Sequence, residues 1–200
     1  MQNCTPGTNV PHIAVSSTAK GSQVQNCTPV TDVPHLAVSS TSKEWEASGR
    51  SLFSHKRYSQ ASHCFERAGL RREVKVCEAY RLREVARSGV GVALLSDQKR
   101  AFIMAADIFV GCGADATGNE KHQYYRNAAD CYIKGGEDVK AAGACVKAEE
   151  FEVAAKCYRK AGRFDRTLHF LHTHGSRISG ETAEELWTAC RLFYCRNDTQ

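Results

Sequence analysis

Beyond Pro34 the chain contains no proline: Pro6, Pro11, Pro29 and Pro34 all fall in the first 43 residues. Charge is placed just as unevenly. That stretch carries only Lys20, Asp32 and Lys43 out of 27 Lys and Arg and 22 Asp and Glu. A proline ring removes a backbone donor and blocks helix continuation, so regular helix and central strand are excluded before residue 43 and helix is allowed throughout afterwards. The two shifts predict a flexible, extended arm over 1–43 and a helical body over 44–200.

Other absences narrow the function. The longest apolar run, Val90 to Leu95 with Gly91 inside it, falls far short of the about 20 residues that span a bilayer, so no membrane role is expected. Met1 is followed by Gln-Asn-Cys-Thr-Pro rather than by a basic stretch and an apolar core. The expectation is therefore an intracellular protein, cytoplasmic or nuclear, in which the Asn-x-Thr sequons at Asn3, Asn26 and Asn197 are accidental. The ten cysteines contain no Cys-x-x-Cys, and Cys190 and Cys195 are five apart, a poor spacing for two ligands on one helix. No Ser-His-Asp or Cys-His set is identifiable, and neighbouring carboxylates such as Glu149-Glu150 and Glu184-Glu185 do not face each other on a helix. No enzyme activity and no cofactor are expected. The net charge of +5 is too mild to mark a nucleic-acid binder by itself.

What the chain does have is repetition. Ala61-Ser-His-Cys-Phe-Glu-Arg-Ala-Gly69, Ala128-Ala-Asp-Cys-Tyr-Ile-Lys-Gly-Gly136 and Ala154-Ala-Lys-Cys-Tyr-Arg-Lys-Ala-Gly162 follow one pattern. A small residue, a Cys, an aromatic and another small residue recur at i, i+3, i+4 and i+7, one stripe of a helix. A basic residue and a Gly close each copy, suited to the negative helix end and the left-handed position beyond it. The stripe puts Cys64, Cys131 and Cys157 in the core as small hydrophobes, with Cys145 in a similar Ala-rich setting. A unit this short cannot bury its own stripe, so copies must stack. The arm holds a different duplication: Gln2–Lys20 recurs as Gln25–Lys43, 23 residues on.

Helices are expected at about 44–55, 58–68, 71–87, 98–112, 120–134, 138–148, 151–161, 164–173 and 181–195. Thr41 to Glu44 forms a capping-box pattern at the first, and Asp97 would cap the fourth. Ala128, Ala141 and Ala154 are 13 apart, one short helix plus a turn. Gly111 to Gly118 reads as a Gly-rich interhelical loop. Its Gly-x4-Gly spacing lacks the Lys and Ser/Thr that bind phosphate, since Asn119 and Glu120 stand there. His169, His172 and His174 share a helix end without a carboxylate or Cys close by to complete a zinc set.

Trp45, Gly49, Tyr58, Ala61, Phe65 and Ala68 have the spacing of a tetratricopeptide (TPR) repeat, although Ser48 and Glu73 stand where Leu and Pro would complete it. The body thus resembles a TPR-like α-solenoid of short helical hairpins, all-α in class. A longer similarity begins with QNCTPVTDVPHLAVSST and EWEASGRSLFSHKRYSQASHCFERAGL and continues through YYRNAADCYIKGGEDVKAAGACVKAEEFEVAAKCYRKAG, covering residues 25–175. It resembles the junction in large, mostly fungal proteins of the TPR-and-ankyrin-repeat-containing family, where TPR-like helices follow a UvrD/Rep-type helicase-like module. That family's ATP site and helicase motifs lie upstream and have no counterpart here.

The expected function is a non-catalytic helical-repeat scaffold that binds a protein or peptide partner in the groove of the stack. The alternative is a nucleic-acid-associated accessory segment. Arg71, Arg72 and Lys75 are its candidate contacts, at the start of a helix whose local net charge is positive. Pairs such as Glu78/Arg81 and Glu84/Arg87 would partly neutralise that helix. Tyr80, Tyr124 and Tyr125 are expected in the core rather than at a recognition surface. A third reading, a degenerate gene fragment without independent activity, is prompted by the duplicated arm and the missing motor.

Overall fold

The structure, a computed structural model, describes residues 41–89 and 95–197. The expected arm lies outside the described residues except for its last three. Among those described there are nine α-helices, one short 3-10 turn at Gly175–Arg177 and no strand. The helices are α1 (Ser42–Ser54), α2 (Tyr58–Ala68), α3 (Arg71–Ser88), α4 (Leu95–Ala114), α5 (Gly118–Gly135), α6 (Asp138–Lys147), α7 (Phe151–Lys160), α8 (Phe164–His174) and α9 (Gly180–Asn197). Each coincides with an expected helix. None of them is long and apolar enough to cross a membrane.

The first helix starts as its sequence requires. The Glu44 N–H donates to Thr41 Oγ1 at 3.4 Å, and the Thr41 N–H donates to Glu44 Oε2 at 2.8 Å, the reciprocal pair of a capping box. At the fourth helix the expectation needs correction. The helix is already formed at Leu95, so Asp97 sits in its first turn rather than as its cap, 3.7 Å from Arg100. The Gly-rich loop is also shorter than expected. Gly111 to Ala114 are the last turn of α4, leaving only residues 115–117 before α5. The reason is packing: a Cβ on Gly113 would stand 3.2 Å from the Tyr125 ring, so this glycine serves helix approach rather than loop freedom.

Five junctions are the same turn. Lys56, Gly69, Gly136, Glu149 and Gly162 all have φ between 60° and 82°. The residue after each has φ between −83° and −94° and ψ between 60° and 77°, and starts the next helix. Its N–H bonds back to the carbonyl five residues earlier, as in Arg57 to Leu52, Leu70 to Phe65, Glu137 to Tyr132, Glu150 to Cys145 and Arg163 to Tyr158. Its own carbonyl accepts the first bond of the new helix, from Ala61, Val74, Ala141, Ala154 and Thr167 respectively. Every helix C-terminus of this kind is thus capped by the residue that opens its successor. The left-handed residues are 13 apart from 56 to 69 and again from 136 through 149 to 162.

Consecutive helices run antiparallel. Ser42 reaches the Ala68 carbonyl and Gly49 abuts Phe65 across α1 and α2. Asp138 pairs with Lys160 at 2.9 Å across α6 and α7, and Phe164 stacks on Phe193 while His172 meets Trp187 across α8 and α9. Helices next but one run parallel. Arg72 pairs with Glu120 at 3.2 Å and Asn127 donates to the Tyr80 hydroxyl at 3.0 Å, so contacts advance in the same direction along α3 and α5. Between α7 and α9 the Glu152–Thr182 contact at 2.8 Å and the Arg159–Glu185 pair at 3.2 Å do the same.

The repeated stripe faces inward, with Ala68, Tyr158 and Ala161 half-buried. Ala61, Cys64, Phe65, Ala128, Cys131, Tyr132, Ala154 and Cys157 are all buried, and so is Cys145. Burial pushes the Cys77 thiol up to about 12 and the Cys131 thiol up to about 11, so both are neutral core groups at ordinary pH. The core forms two clusters, one around α1 to α3 and a larger one from α3 to α9, and both touch Phe53 and Tyr80.

Candidate binding groove

The parallel helices α1, α3 and α5 lie side by side and leave a recess of about 320 Å³ between them. Its apolar lining comes from Phe53 of α1, Phe65 of α2, Val76 of α3 and Tyr124 of α5. Arg50 and Ser54 on one side and Arg72, Glu73 and Glu120 on the other make its polar rim. Sequence spacing explains the geometry. Residues 50, 53 and 54 share one face of α1, residues 72, 73 and 76 one face of α3, and residues 120 and 124 one face of α5. The floor rings are held from behind: Phe65 fills the notch at Gly49, where a Cβ would stand 2.7 Å from the ring. Phe53 meets Tyr58 and Tyr80 edge-on at 5.3 and 5.1 Å.

The rim charges are matched internally. Arg72 lies 3.4 Å from Glu73 and 3.2 Å from Glu120. The Tyr124 hydroxyl donates to Glu120 at 2.9 Å, and burial together with that bond raises its pKa. Arg50 reaches Glu46 one turn back at 2.6 Å. The lining contains neither Cys nor His, and Ser54 Oγ donates to the Ser51 carbonyl at 2.7 Å.

The three sequence candidates do not form one site. Arg72 turns into the recess, whereas Arg71 and Lys75 lie one turn apart on an exposed flank of α3. The rest of the basic helix is also divided. Arg83 lies over the Tyr80 ring at 4.4 Å and donates to Asn127 at 3.1 Å, and Arg87 pairs with Glu84 at 3.3 Å as its spacing predicts. Glu78 and Arg81 form no such pair among the described residues. They line a second recess of about 300 Å³ between α2 and α3, with Tyr58, Val74 and Cys77.

The histidines of α8 go to separate surroundings. His169 is exposed, His172 meets Trp187 edge-on at 4.9 Å, and His174 lies against Phe151 and Phe170 at 4.8 and 4.7 Å. No group of three or more His, Cys, Asp or Glu among the described residues is arranged to hold a metal ion. Tyr124 and Tyr125 are buried and Tyr80 is half-buried in the ring cluster, in keeping with their core assignment.

What the sequence reading missed is the pairing across the recess. Arg72 and Glu120 are 48 residues apart and meet only once the parallel register of α3 and α5 is known.

The chain matches no family model, no curated protein and no solved structure.

Proposed function

We propose that the helical body is a TPR-like α-solenoid acting as a non-catalytic scaffold, and that it binds a protein or peptide segment along the groove of α1, α3 and α5. The observation that carries this reading is the recess lined by three alternate, parallel helices, since stacked hairpins create a continuous surface on the face of their first helices. The antiparallel order of neighbours and the turn repeated at five junctions support the solenoid. On the resemblance read from the sequence of residues 25–175, the body would be an intracellular segment that presents or regulates a UvrD/Rep-type motor.

The test is selection of displayed peptides on the full chain, followed by measurement of their affinity for Ser54→Trp. Ser54 is exposed at the rim, so an indole there covers the recess without touching the core. A loss of about tenfold or more is expected. Peptides that bind the variant as tightly as the wild type would remove the groove from consideration.

A nucleic-acid-associated role comes second. It is favoured by Arg71 and Lys75, which are exposed and make no ion pair among the described residues. It requires binding that falls steeply with salt and weakens in Arg71→Glu with Lys75→Glu.

A further inference from the structure

We infer that the side chain received by the recess is apolar and uncharged, an aromatic or branched aliphatic anchor of the partner peptide. This rests on the groove reading above. The floor of Phe53, Phe65 and Val76 offers rings and methyl groups, and water leaves such a surface with a gain in free energy. The rim offers no unmatched charge. An incoming carboxylate would have to take Arg72 from Glu73 or Glu120, stranding an acid beside its own charge. An incoming ammonium would meet Arg50 and Arg72 and would have to draw Glu120 away from the latter. Either exchange breaks one ion pair to make another, with desolvation added. An apolar side chain disturbs none of them.

Size agrees with this chemistry. About 320 Å³ is at the bottom of the range for small-molecule sites, roughly 300–1,000 Å³, and suits one or two side chains better than a nucleotide. A rim of satisfied polar contacts around an apolar floor is also the arrangement that keeps water from a buried anchor in a protein interface.

The experiment titrates the isotopically labelled full chain with three probes: N-acetyltryptophanamide, N-acetylglutamic acid amide and N-acetyllysinamide. Amide resonances are followed over 50–54, 72–76 and 120–124. The tryptophan probe is expected to shift these amides saturably, at least about tenfold more tightly than either charged probe, and to lose the effect in Ser54→Trp. In Glu120→Gln, which loosens the hold on Arg72 at an exposed position, the glutamate probe should gain affinity. A charged probe that binds the wild-type recess more tightly than the tryptophan probe would overturn the anchor chemistry and leave the groove reading standing. If no probe shifts those amides, or the tryptophan probe shifts them equally in Ser54→Trp, both readings fall.

Discussion

Two stretches of this molecule solve the same packing problem with different side chains. From Glu137 to His174 the helices are 10 or 11 residues long, and the turns at Glu149 and Gly162 keep a 13-residue beat. Their seams are filled by Ala141, Ala142, Ala144, Ala154 and Ala155, with Phe151 and Phe170 stacked between α7 and α8. From Arg71 to Gly135 the helices are 18 to 20 residues long, and the rings of Tyr80, Phe102, Phe109, Tyr124 and Tyr132 join buried alanines such as Ala105, Ala106 and Ala128 between them. Small residues bring backbones together and leave no gap. Larger rings fill the space beyond them, and a recess with an apolar floor opens among the described residues where α3 and α5 meet α1. Turn chemistry sets the order of the helices, while side-chain volume decides where a cavity can exist.

Both stretches should therefore be sensitive to volume, in the direction set by the residue replaced. Phe109 is fully buried with the Tyr80 ring edge-on at 5.1 Å, so Phe109→Ala should cost about 3–5 kcal/mol by chemical denaturation. Ala154 has no such volume to lose, and there the damaging change is enlargement. Ala154→Leu should cost about 1–3 kcal/mol by overpacking the α6–α7 seam. A smaller cost for Phe109→Ala than for Ala154→Leu would mean that the ring contributes less than its full burial implies.

Smaller effects sharpen the role of the shared turn. Gly69, Gly136 and Gly162 have no neighbour within 4 Å of an added Cβ, so they are needed for backbone conformation alone. Lys56 and Glu149 hold the same conformation with a side chain, which is costly for an L-residue. Thermal unfolding should show Lys56→Gly and Glu149→Gly gaining about 1 kcal/mol each, and Gly162→Ala losing a similar amount. Equal and opposite signs would show that all five junctions are one motif. A loss from Glu149→Gly would separate that junction from the rest.

The smallest effect concerns acid. Hydrogen bonds from Lys156 and Thr182 hold the Glu152 carboxyl down to about 2 from 4.5. A carboxyl depressed on folding adds stability above its unfolded pKa and loses it as the pH falls towards its folded one. The α7–α9 contact should thus weaken between about pH 4.5 and 2, and Glu152→Gln should flatten the melting temperature over that interval. An unchanged acid limb in the variant would mean that this carboxylate does not tie the two helices.

Helix positions were legible because each depends on nearby residues. Thr41 and Glu44 announce the first helix, and Gly69, Gly136 and Gly162 announce where three others end. The inward stripe was legible for the same reason. Lys56 and Glu149 carry no such announcement, because their left-handed turns are imposed by the helices they join. Gly113 misled in the opposite direction: glycine reads as loop, yet here it is a notch for Tyr125. The recess was the least legible feature. It depends on the register of three helices, each separated from the next by an intervening helix, and only Arg72 of the three basic candidates reaches it.

The central claim is that α1, α3 and α5 lie side by side and parallel, so that their faces share one recess. Proton–proton contacts in the labelled full chain test this most directly. Magnetisation transfer from the Tyr80 ring to both the Phe53 ring and the Asn127 side-chain amide is expected, since Tyr80 lies 5.1 Å from the first ring centre and 3.0 Å from the second group. Transfer to neither, in a chain whose helices are otherwise intact, would contradict the alternate-helix arrangement and the groove built on it.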